Sequence, residues 1–123
     1  MKLPRVFVVE DNEFDLGLMT DVILCNDLKA VPATGESWLD DGLSALDAKD
    51  VVVVDLDLPG ERGRRVVERL RSRPLEVRPR IVTLSVDGRA AGAPDVEEVL
   101  GRPLDIGGFA RAVVRQSREA NLD

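Results

Sequence analysis

A chain of 123 residues is long enough for one domain with its own core and too short for two. Its single cysteine, Cys25, excludes an internal disulfide, and the absence of histidine excludes the usual zinc sets and histidine-based acid–base catalysis, so any metal must be a hard cation held by oxygen. With a net charge of −6, 3% aromatic residues and no apolar run of membrane length, neither nucleic-acid binding nor a membrane span is expected, and the chain reads as cytoplasmic.

The first element is a strand in "RVFVV", Arg5 to Val9. A helix follows from Glu13, with Phe14, Leu18, Met19, Val22 and Ile23 at helical spacing and Cys25 expected in the core. "LKAVPAT" reads as a second strand, placed at a sheet edge by Pro32, and "GESWLDDGLSALDA" as a helix with Trp38, Leu39, Leu43 and Leu46 on one face. "VVVVD", Val51 to Asp55, is apolar on successive residues, as a strand covered on both faces must be. "RRVVERLRS" supplies the next helix, inside a run of arginines from Arg62 to Arg80 that reads as a solvated face.

Pro79 precedes a fourth strand, "RIVTLS", and "VEEVL" is a weaker fifth. Between them "VDGRAAGAPD" leaves room for little helix, while "DIGGFARAVVRQSRE" closes the chain as an amphipathic helix. Strand–helix alternation predicts an α/β fold with a mainly parallel sheet covered on both faces. One domain over 1–123 is expected, with its core at about residues 4–116 and a tail over 117–123.

In such a sheet the C-terminal strand ends share one edge, where ligands bind at the topological switch point. The polar residues at those ends are Glu10, Asp11, Asp55, Ser85 and Arg102. Three close carboxylates repel one another and favour a divalent cation, Mg2+ being suited to oxygen ligands. Bland readings stand beside this one. Asn12 with its acidic neighbours can be a helix start, Asp55 can simply end a strand, and Asp57 can cap a turn.

Taken in order, "VFVVEDNE", "VVVVDLDLPGERG", "IVTLSV" and "LGRPLD" resemble the acidic pair, phosphoacceptor loop, hydroxyl strand and basic-Pro motif of response-regulator receiver domains in two-component signalling. The resemblance implies a flavodoxin-like, doubly wound sheet of five parallel strands in the order 2-1-3-4-5. It implies Asp55 as phosphoacceptor, Ser85 and Arg102 contacting the phosphoryl oxygens, and Mg2+ held by Asp11, Asp55 and the Asp57 backbone carbonyl, with Glu10 holding it through water. It further implies a histidine kinase or histidine phosphotransfer protein as donor, an unknown output protein, the option of a homodimer, and a signalling module rather than an enzyme. Because the chain ends after its last helix, a stand-alone receiver is expected.

Two departures mark the chain. Arg102 replaces the family's usual lysine and Val99 a common aromatic, and the interval from Ser85 to Arg102 is short, so the fourth helix is expected shortened or missing. Arg102 is long enough to pair with Asp55 at rest. These departures leave open a receiver-like interaction module that works without phosphate. "VVVVDLDLP" also fits the DxD nucleophile loop of haloacid-dehalogenase-type phosphatases, although no lysine follows it.

Overall fold

A computed structural model describes residues 3–33, 45–86 and 96–122. Five strands, β1 (Arg5–Val9), β2 (Lys29–Pro32), β3 (Val51–Asp55), β4 (Arg80–Ser85) and β5 (Glu98–Gly101), form one parallel sheet in the order β2-β1-β3-β4-β5. The helices are α1 (Glu13–Cys25), α2 (Arg62–Arg71) and α3 (Ile106–Ala120). Trp38, Leu39 and Leu43 of the expected second helix, and the expected short segment before β5, lie outside the described residues; Leu46 is buried.

The valine run of β3 works as its pattern requires. Successive side chains point to opposite faces, so Val52 and Val54 join Phe7, Val66, Val67 and Leu70 beneath α2. Val51 and Val53 join Met19, Ile23, Val82 and Phe109 beneath α1 and α3. Pro32 sits on the edge strand β2. Lys29 and Ala33 donate to the Pro4 and Val8 carbonyls of the β1 side, so by alternation the proline nitrogen faces away, where no N–H is needed.

The sequence misjudged the buried stripe of α1. Only Met19 and Ile23 of α1 are fully buried, whereas Phe14 is 78% exposed and Cys25 is also on the surface. Consecutive helical residues differ by about 100°, and the sheet accepts a narrower stripe than the apolar pattern offers. The last helix, α3, runs to Ala120, one residue past the expected segment, and its Ser117 is buried.

The arginine run is less solvated than its composition suggests. Arg62 pairs with Asp11, Arg65, Arg73 and Arg78 donate to backbone carbonyls, and Arg80 donates to Gln116. That last bond begins a chain, since the Gln116 amide donates in turn to Glu98 at 2.6 Å. It fastens edge strand β5 to α3 and so fixes the base of the turn that carries Arg102.

Candidate functional site

Each site residue stands where a strand runs out. Glu10 follows β1, Asp55 ends β3, Ser85 ends β4, and Arg102 follows β5, whose Gly101 lies in register with Ser85. The strand order reverses between β1 and β3, so Glu10 and Asp55 flank the switch point. The α1 helix starts here because Asn12 caps it, its side chain accepting the Asp15 N–H at 2.9 Å.

The site is a cluster of carboxylates around one guanidinium. Arg102 Nη2 lies 2.9 Å from Glu10 Oε2 and 3.0 Å from Asp55 Oδ2, its Nη1 donates to Asp15 Oδ2 at 2.8 Å, and its Nε lies 3.4 Å from Asp57 Oδ2. Glu10 and Asp55 are buried, at 1% and 5% exposure. Their remaining oxygens are also engaged. Glu10 Oε1 accepts the Asp11 and Asn12 N–H groups at 3.1 Å each, and Asp55 Oδ1 accepts the Asp57 N–H at 2.8 Å.

These surroundings set the charges. Burial pushes the Glu10 carboxyl above its ordinary range; the Asn12 backbone bond opposes the shift, proximity to Asp55 adds to it, and Arg102 limits it. Arg102 is held above the usual arginine value, because its carboxylate partners outweigh its own desolvation.

Asp11 is placed differently from the sequence expectation of one shared cage. It lies at the exposed rim, tied to Arg62 rather than to Arg102. Ser85 is buried at the floor, at 4% exposure. As arranged, no three carboxylates among the described residues stand ready to hold a metal ion, and one oxygen each of Glu10, Asp55 and Asp57 faces Arg102. The donor chemistry nevertheless fits Mg2+, since hard oxygens already converge on a cationic group.

Sequence reasoning missed Asp15 and Arg62. Asp15 lies one helical turn after Asp11 and could have been found on that ground. Arg62 carried no local signal, being one arginine in a run. The loop between Asp55 and α2 is built from tight geometry, with Gly60 at φ 68° and Glu61 at φ 55°, both left-handed. A second cleft, lined by Leu3, Arg5, Leu28, Lys29 and Asp50, opens at the N-terminal strand ends, away from this chemistry.

No protein-family model matches the sequence, and no curated protein matches it. Solved structures do match. A sensor protein from Polaromonas sp. JS666 is similar over 95% of this chain and 98% of its own, with 19% identity and a TM-score of 0.77. A response regulator receiver domain protein from Bacillus halodurans covers 94% and 97% at 18% identity and 0.76. A CheY-like receiver domain from Methylobacillus flagellatus covers 94% and 99% at 22% identity and 0.71. The strand order, the switch-point cluster and these likenesses agree: the chain has the flavodoxin-like fold of response-regulator receiver domains.

Proposed function

We propose that the chain is a receiver that accepts a phosphoryl group on Asp55 from a phosphohistidine on a histidine kinase or histidine phosphotransfer protein, in the cytoplasm, and thereby changes its binding to an output protein. The observation that carries this reading is the position of Asp55, a buried carboxylate at the switch point with a cationic side chain 3.0 Å from Oδ2. A carboxylate oxygen of Asp55 attacks phosphorus, a P–O bond forms as the P–N bond breaks, and the imidazole leaves with its electron pair and takes up a proton. In this reading Arg102 offsets charge on the phosphoryl oxygens, and Ser85, at the end of the adjacent strand, contacts them.

Glu10, Asp11, Asp55 and the Asp57 carbonyl would hold Mg2+, which supplies further neutralisation of the phosphoryl charge. The chain acts as an acceptor rather than a turnover enzyme in this reading. A phosphatase reading has less support, because Lys2, Lys29 and Lys49 all precede Asp55.

One observation favours a second reading, an interaction module independent of phosphate. Both Asp55 carboxylate oxygens already have partners, Asp57 N–H on one and Arg102 on the other. Intact mass after incubation with Mg2+ and acetyl phosphate separates the readings. A gain of one phosphoryl group, labile to hydroxylamine and lost in Asp55→Asn, supports the receiver. No gain with any donor supports the module, and sustained ester hydrolysis supports the phosphatase.

A further inference from the structure

Arg102 has more anionic partners than one charge needs. Its guanidinium touches carboxylates from the β1 end, α1 and the β3 loop: Glu10 at 2.9 Å, Asp15 at 2.8 Å, Asp55 at 3.0 Å and Asp57 at 3.4 Å. The two most buried, Glu10 and Asp55, share a single nitrogen, Nη2. Removing that nitrogen would leave two buried carboxylates close together with backbone N–H partners but no cation at Nη2's place, an arrangement that repels. The pocket therefore requires a cation, and a side chain already provides one.

The oxygens held by Nη2 are among those that the metal reading assigns to Mg2+. A divalent cation on the same oxygens would stand close to the guanidinium and be repelled by it. Asp15 is different, because it bonds Nη1 on the other arm of the fork and stands nearer the rim, its side chain 23% exposed. That bond can persist while Nη2 withdraws, since the planar fork rotates about its own stem.

We propose that Arg102 is a tethered cation that occupies the site in competition with a divalent metal, and that Asp15 is the anchor it keeps when Glu10 and Asp55 are given up to the metal. The inference rests on the metal reading above and adds a regulator to it. Metal occupancy then moves the turn after β5, so the state of the pocket is transmitted to the segment from Gly101 to Asp105. Asp15 acts as a positioning residue in this scheme.

The test is a Mg2+ titration, read by amide shifts and by thermal unfolding, on the wild type, Arg102→Gln, Asp15→Asn and the double variant. Occupancy by Arg102 and by metal are reciprocally coupled, so Arg102→Gln should bind Mg2+ about tenfold tighter or more. Its melting temperature should fall without metal and recover with it, whereas the wild type should shift little. Asp15→Asn should weaken Mg2+ binding in the wild-type background, because the displaced guanidinium loses the partner it keeps, and should have little effect beside Arg102→Gln. That dependence on background is a signature that mere structural damage does not produce.

If Arg102→Gln does not fold without metal, Arg102→Lys takes its place. It keeps the charge but cannot bridge Asp15 and Glu10 at once, and should bind Mg2+ several-fold tighter than wild type. Equal affinity in wild type and variants overturns the competition while leaving the metal reading intact. Absence of Mg2+ binding in all of them overturns both.

Discussion

Gly63, in the first turn of α2, packs so closely on the backbone carbonyl of Asp55 that no β-carbon fits between them, and a β-carbon there would also lie 3.1 Å from Leu56 Cα. The obstacle is backbone, which cannot swing aside. Gly63→Ala should therefore push the start of α2 off the end of β3, costing about 2–3 kcal/mol. Urea denaturation would read the loss, and amide shifts of Asp55 to Asp57 should move with it. A neutral Gly63→Ala would mean that α2 is free to slide and does not position Asp55.

A stabilising change is expected at the other end of α1. The Leu28 and Asp27 N–H groups donate to the Ile23 and Leu24 carbonyls, closing the helix with Asp27 at φ 58°. Glycine suits this left-handed position better than aspartate. Asp27→Gly should raise stability by up to about 1 kcal/mol, visible as a higher denaturation midpoint at unchanged slope.

Asp50 is expected to matter for folding and not for the site. It is buried, accepts Arg5 through both oxygens at 2.9 and 2.7 Å, and also accepts the Asp47 N–H at 2.9 Å. Because the Arg5 side chain is 35% exposed, part of the pair is screened, and Asp50→Ala should cost about 2–3 kcal/mol. Phosphoryl acceptance per folded molecule should be unchanged, because Asp50 lies at the N-terminal end of β3.

Glu10 and Glu98 should bend the pH–stability curve in opposite senses. The Glu10 pKa is raised above its ordinary 4.5, chiefly by burial, so the folded state holds this proton more tightly. Its contribution must fall as pH rises from that ordinary value through the raised one. For Glu98, burial alone would raise the pKa, but hydrogen bonds from Arg115 and Gln116 outweigh it and lower it below 4.5. That contribution is present above the ordinary value and is lost as pH falls through the lowered one. Urea unfolding across roughly pH 3–7 should show Glu10→Gln flattening the upper decline and Glu98→Gln flattening the lower.

Much of the fold is written locally. The valine run specifies a strand buried on both faces, Asn12 specifies a helix start, and Pro32 specifies an edge, because each depends on the conformations and hydrogen-bonding groups of a few neighbouring residues. Once the strands alternate with helices, Glu10, Asp55, Ser85 and Arg102 are brought to one sheet edge by topology alone. The burial of α1 was less legible, since Phe14 and Ile23 are both apolar and only contact with the sheet selects Ile23.

What the sequence determined by itself was therefore which residues meet. How they pair was decided by the tertiary structure. Nothing local to Arg102 indicates that its guanidinium bridges Glu10, Asp15 and Asp55, residues 47 to 92 positions away, or that Arg62 draws Asp11 to the rim. Those pairings depend on side-chain reach and on where packing leaves each helix end, and a charge buried at a shared edge takes whichever opposite charge the packed backbones bring within a few ångströms.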